Sequence, residues 1–507
     1  SYFMPAPEKD ISDFGQAYVQ QQMTKDLAPQ QSPIYIQTDT MNVVVDKMGG
    51  KIVKVQVRDY QDGSESYSTM PLTNQRQMVA NIAVDGQNIS YKSSKSSYEL
   101  KDKDTLVVKL VGQKAGLTYR KNLVFKRGEY QVGVEASVEN TGNETIEVSP
   151  RFDIGIGLRS KDLVPAKNVS VHETAQSSMP MARLYEGFSS SSAKKSYTRT
   201  PFAKIESSEP TVVKGGWIAF QDGHFVSSWV MPQDLTTQIA QGFTQSKDSK
   251  GYVQQYASVA QSSTKSVAPG DKFELKSTFY SGPADPTLLA SLATGLKLTV
   301  DYGFFWMISS LLARALSIIH LSGLSWGGSL VVLIFLLRLV FYKFAKDQVH
   351  HNQAMARAKP ELDAIETQFS EQSGFNIKRS EATLAVYKKY GVNPASACLM
   401  PLLNLPIYLA AYNMVLASVH MKSQSFLWIN DLAAADPYYL MPLLAGAGLY
   451  LQSATSAQSM DPMMRNLMIV MPLVFVFAML NAPACAALYV ALQMWVQVLQ
   501  TKFISIK

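Results

Sequence analysis

The sequence predicts a multidomain protein, a large all-β sandwich outside the cytoplasm followed by an α-helical membrane bundle of five spans with a cytoplasmic helical hairpin. Three observations carry this. Residues 1–290 are polar and rich in Ser, Thr, Gln and Val, whereas the remainder is apolar. Within the polar part, apolar and polar residues alternate with the period of a half-buried strand. In the apolar part, residues 391–419 and 466–501 carry no Asp, Glu, Lys or Arg. With 507 residues the chain is too long for one domain. Its net charge of +7 is scattered, without a nucleic-acid motif, and excess Lys and Arg fits cytoplasmic loops of a membrane protein.

Residues 1–32 are polar and Gln-rich and read as a flexible leader. No export signal opens the chain, although the first domain reads as extracytoplasmic; an N-terminal signal or anchor helix is expected to precede it. Residues 33–290 form the β-domain. Tyr130, Val132, Val134, Ala136 and Val138 alternate with polar or small residues, and Asn140 to Asn143 then turns the chain. Gly49-Gly50 lies between Val43–Val45 and Ile52–Val57 as a hairpin turn. Ser189 to Ser192 reads as a surface loop.

Residues 298–322 hold Tyr302, Phe304, Phe305, Trp306, Leu311, Leu312 and Leu316 together with Asp301, Arg314 and His320, an amphipathic helix expected to lie on the membrane. Within 324–503 the spans are placed at 324–342, 398–418, 438–452, 466–481 and 483–502, the last two divided at Asn481-Ala-Pro483. Some are short, so local bilayer thinning is expected. Lys343, Lys346, Arg357, Lys359, Lys378, Arg379, Lys388 and Lys389 put the intervening hairpin 343–392 in the cytoplasm, with a kink or break at Pro360 and a turn at Gly374–Asn376. Of Lys and Arg, the loop 420–437 holds only Lys422.

Arg338 is the main candidate for function, because a cation inside a span is costly unless it faces water or a polar interior. It lies about 7–8 Å along the helix from the cytoplasmic end, at Lys343. Asn404 is at similar depth on the second span. Tyr489, Gln493, Gln497 and Gln500 recur on one face of the last. Together they suggest a hydrated, positively charged groove; hydrogen bonding between helices without a groove is the alternative. Methionines such as Met414, Met460, Met468 and Met494 suit either ordinary packing or a surface that accepts many partners. Cys398 and Cys485 both lie in apolar segments and read as packing residues. No catalytic, metal or cofactor motif is found. His350-His351 reads as a solvated pair, and Asp436-Pro437 and Asp461-Pro462 as loop turns. Two rivals stay open: a small-anion transporter with Arg338 as its site, and a carbohydrate-binding sandwich using His172 or His224.

Several stretches resemble the YidC insertases: Leu298 to Gly303, the Arg338 helix, Tyr387 to Pro394, Cys398 to Pro406, Trp428 to Leu432, Asp436 to Tyr439, and Lys214 to Trp217. The resemblance implies a super-sandwich similar to sugar mutarotases, without catalysis, and a first membrane helix ahead of it. It implies a substrate-binding groove with its arginine at Arg338, its amide at Asn404, where relatives often carry Gln, and its tyrosine at Tyr489. Some relatives have a second tyrosine where this chain has Val490. The implied activity is insertion of membrane proteins into the bacterial inner membrane, alone or beside the Sec translocon, with the large domain in the periplasm. The implied partners are newly made membrane proteins with short translocated tails, the lipid bilayer, and ribosomes at the cytoplasmic loops.

Overall fold

The computed structural model describes residues 33–62, 65–70, 76–84, 89–160, 185–191, 195–202, 205, 210–248, 251–369, 377–391, 394–457 and 462–506. The expected leader 1–32, the turn 374–376, His172, Met460 and Asp461 lie outside them. Two compact units divide the chain between Asp301 and Tyr302.

The first unit is β-rich. Among the described residues it contains a ten-stranded and a nine-stranded sheet, with a small two-stranded ribbon besides. The alternation around Val134 gives the strand Gln131–Asn140, whose apolar side is buried. It sits in the nine-stranded sheet, antiparallel to both Leu117–Lys126 and Lys272–Pro283. Gly49 and Gly50 join Met41–Asp46 to Lys51–Asp62, as the sequence predicts. Both have positive φ, at 82° and 59°, a conformation a side chain would strain.

One core serves both large sheets. Ile34, Val43, Val45 and Phe152 from one meet Val108, Leu123, Phe125 and Phe279 from the other. Trp229 ties the layers: its ring lies 5.9 Å from Phe152 and its indole N–H donates to the Asp153 carbonyl at 3.2 Å. Burying an aromatic of this size contributes about 2–3 kcal/mol. Ser189 and Ser191 are buried rather than looped out, and the strand Glu186–Ser190 takes in the first two serines of the run. A serine is small enough to sit in a packed sheet, and Phe188 just before them anchors the strand in the core. Polarity alone misplaced that segment.

A short helix, α1 (Pro286–Leu292), capped by Asp285, follows the last strand. The second unit is helical: α2 (Trp306–His320), α3 (Trp326–Val340), α4 (Tyr342–Gln368), α5 (Ile377–Tyr390), α6 (Pro394–Ala417), α7 (Leu440–Ala457), α8 (Pro462–Met479) and α9 (Ala484–Ile506). The amphipathic helix thus begins at Trp306 rather than 298, after the 3-10 turn Leu296–Thr299. Ser325 caps α3 by accepting from the Gly328 N–H. That helix ends at Val340, and the chain turns by 62° into α4, where a continuous apolar stretch to 342 was expected. Pro360 lies inside α4 without breaking it.

Helix packing depends on small residues. A Cβ on Gly448 of α7 would lie 2.8 Å from Met494 Cβ of α9, and one on Gly446 would strike Val476 of α8. The hydroxyl of Ser309 on α2 donates to the Ala410 carbonyl of α6 at 2.8 Å. Trp326 is stacked between His320 and His420, with ring centroids 3.9 and 4.4 Å away. Large apolar side chains face outward, including Leu339 at 72% and Phe477 at 65% exposed. Among the described helices α9 is long and apolar enough to cross a bilayer over Ala484–Ile504; α3 and α4 pass that test only together, as a bent pair.

Candidate functional site

Three helices of the second unit converge on Arg338. Its residue is in the last turn of α3, one turn before the bend into α4. The guanidinium Nε donates to Gln493 Oε1 at 2.6 Å. Nη2 donates to the Gln493 carbonyl at 2.8 Å and to Gln497 Oε1 at 3.2 Å. Gln493 Nε2 in turn donates to the Tyr489 hydroxyl at 3.2 Å, and that hydroxyl reaches the Tyr408 carbonyl of α6 at 3.5 Å. The face of α9 carrying Tyr489, Gln493 and Gln497 therefore folds onto the cation, as the i, i+4 spacing requires.

Tyr408 was missed in the sequence. Its ring lies 5.7 Å from the Arg338 guanidinium carbon, within cation–π range. The signal was available: Tyr408 is four residues from Asn404 on α6 and shares its face. Asn404 itself lies on α6, but its side chain falls outside the described residues. Gln500 keeps its place on α9, with its Oε1 enclosed and no partner among the described residues.

The electrostatics follow from the partners. Among the described residues no carboxylate pairs with Arg338; all its acceptors are neutral. Each such bond to a charged donor contributes about 1.5–3 kcal/mol. That offsets desolvation while leaving the positive charge uncompensated. Gln493 and Tyr489 are buried, whereas Arg338 and Gln497 are half-buried. Such a cluster can attract an anion and offer donors and acceptors to a polar chain. It contains no nucleophile–base pair, and among the described residues no group of three or more His, Cys, Asp or Glu could hold a metal.

Charge elsewhere is organised differently. Glu361 of α4 accepts from Lys389 at 2.5 Å and from the Tyr390 hydroxyl at 2.8 Å, bridging α4 to α5. Those hydrogen bonds hold the Glu361 carboxyl below the usual range. His350 is exposed, but His351 is half-buried with Nε2 enclosed and without a partner among the described residues, so the two are not an equally solvated pair. Asp436 is not a simple loop turn either. It is buried, and its carboxylate accepts from Trp428 Nε1 (3.1 Å), Tyr438 N (3.1 Å) and Met441 N (2.7 Å). The Leu432 and Ala434 carbonyls from the same loop accept the Cys485 and Ala484 N–H groups at the start of α9.

Comparison with known proteins agrees with this layout. A family model described as the YidC periplasmic domain matches residues 33–315, and one described as the 60Kd inner membrane protein matches 317–507. A membrane protein insertase YidC from Legionella pneumophila (strain Corby) is 31% identical over 491 residues, covering 94% of this chain and 84% of that protein. A crystal structure of an active YidC insertase with its first transmembrane domain resolved covers 93% of this chain at 16% identity and a TM-score of 0.39. A galactose mutarotase related enzyme from Lactobacillus acidophilus covers 49% of this chain and 97% of its own, at 11% identity and a TM-score of 0.29.

Proposed function

The chain belongs to the YidC family of membrane protein insertases, and from that membership we propose that it inserts and helps fold integral membrane proteins through a groove centred on Arg338. Members of this family are insertases rather than enzymes, at home in the inner membrane with a periplasmic domain. The β-domain is then periplasmic, α4 and α5 are cytoplasmic, and α3, α6, α7, α8 and α9 cross the bilayer. At 15 residues α3 is about 22 Å long, short of a ~30 Å hydrocarbon core. A thinned bilayer around the bundle accommodates that difference and shortens the polar path for a client.

One observation supports the reading: a guanidinium in the last turn of an apolar helix held by two amides and a carbonyl, with no counter-charge among the described residues. A client's short polar tail, acidic in the simplest case, is drawn toward Arg338. Tyr489, Gln493, Gln497 and, from its place on α6, Asn404 exchange hydrogen bonds with it. The client's apolar segment moves along the outer face and leaves into lipid, driven by burial of its own apolar surface. No nucleotide is needed. Clients arrive directly or from the Sec translocon, and the exposed α4–α5 pair receives them or their ribosomes.

The test is reconstitution of the purified chain into liposomes with a client bearing a short acidic tail and no nucleotide. Protease protection of that tail above empty liposomes, weakened in Arg338→Ala, is expected. Protection equal in both proteins, or absent with a folded chain, would overturn the proposal.

A further inference from the structure

The donor inventory of Arg338 carries more than its charge. A guanidinium has five N–H groups, and a carboxylate gripped by two of them sits on the Nε–Nη2 edge or the Nη1–Nη2 edge. Here the single Nε proton goes to Gln493 Oε1 and both Nη2 protons go to the Gln493 carbonyl and Gln497 Oε1. Every two-point approach needs at least one Nη2 proton, so both edges are closed. The Gln493 amide is fixed in this sense because its Nε2 donates to the Tyr489 hydroxyl, which directs Oε1 at the cation. Tyr408 covers a face of the guanidinium. Among the described residues only Nη1 is left without a partner.

We propose that Gln493 and Gln497, with Tyr408 over the ring face, are positioning residues that keep Arg338 from gripping a client carboxylate bidentately. The groove then offers an acidic tail only a one-point contact through Nη1. This rests on the insertase reading above and adds to it: the arginine attracts acidic tails but is prevented from retaining them. A groove that every client must leave gains from weak, exchangeable contact, because a two-point charge-assisted clamp in a partly dry site slows release. The glutamines hold the place a client's oxygens would otherwise take, and their bonds to the cation persist while the tail is bound and as it departs.

The experiment uses the full chain in lipid nanodiscs and a fluorescent client segment with one aspartate in its tail, reading the dissociation rate. The variants are Gln493→Leu with Gln497→Leu, Gln497→Leu alone, and each of these in an Arg338→Lys background. The double variant removes both side-chain acceptors and leaves Nη2 one bond, to the backbone carbonyl at 493, so one edge of the fork opens; release should slow about tenfold, and by less with Gln497→Leu, which keeps Gln493 on Nε. A lysine is a point charge with no fork, so the slowing should vanish in the Arg338→Lys background. Release as fast as in the unsubstituted chain, or slowing that persists with lysine, would overturn the proposal while leaving the insertase reading in place. If Arg338→Ala leaves the preference for an acidic over a neutral tail unchanged, the groove reading itself fails, and this proposal with it.

Discussion

Replacing Asp436 with alanine should loosen the second unit without removing any hydrogen-bond partner of Arg338. The carboxylate is 1% exposed and accepts three hydrogen bonds, from Trp428 Nε1 and from the backbone N–H groups of Tyr438 and Met441. The Met441 group belongs to the first turn of α7, where no intrahelical acceptor exists. Removing the acceptor strands three donors, each at about 1–3 kcal/mol, and partial rehydration of the loop brings the sum to roughly 4 kcal/mol. For a unit of this size that corresponds to a drop of about 10 °C in apparent Tm in detergent. Asp436→Asn keeps one acceptor oxygen and should lose about half as much. The same loop supplies the Leu432 and Ala434 carbonyls that accept from the start of α9, so the buried Cys485 thiol should become reactive toward maleimide in the alanine variant. A Tm within about 2 °C of the original, with Cys485 still protected, would refute this account of the loop.

Two other perturbations test the packing. Lys121 is buried between the sheets, donating to the Gly49 and Gly50 carbonyls and Asn81 Oδ1 at 2.8–3.1 Å, and burial pushes its ammonium down to about 7 against the pull of Asp153. From pH 7 up to about 10.4 the unfolded chain holds a proton that the folded one lacks, so stability should rise with pH across that window. Lys121→Met should flatten the rise, as followed by β-sheet circular dichroism during thermal melts at several pH values; an unchanged slope would contradict it. Gly448→Leu places a side chain where Met494 Cβ is 2.8 Å from a bare Cβ, so α7 and α9 must separate. Tyr489, Gln493 and Gln497 ride on α9, so insertion activity should fall severalfold even where the protein still purifies, whereas an exposed-site control such as Leu443→Ala should change little.

How far the sequence disclosed this arrangement depends on what kind of signal each part left. Period-two alternation located the strand Gln131–Asn140, and the Gly49-Gly50 pair located its hairpin, because both are local backbone requirements. The face of Tyr489, Gln493 and Gln497 was legible for the same reason, being helical periodicity within an uncharged run. Helix ends were less legible. Apolarity continues smoothly through Val340, Phe341 and Tyr342, so the 62° bend left no compositional mark. Helix α7 runs on to Ala457 through Ser453 and Thr455, where apolarity stops but nothing breaks a helix. Pro360 costs α4 a backbone hydrogen bond, yet the surrounding turns hold the helix through it. Asp436 and Tyr408 matter through partners that the sequence does not bring near: an indole eight residues away, and a cation on another helix.

Charge reversal tests the central claim most directly. In nucleotide-free liposomes, Arg338→Glu should lose protection of a client with an acidic tail and gain it for the same client with that tail made basic, while the unsubstituted chain prefers the acidic form. If both proteins protect both tails equally, the charge at Arg338 does not select the client, and the proposed electrostatic groove is wrong.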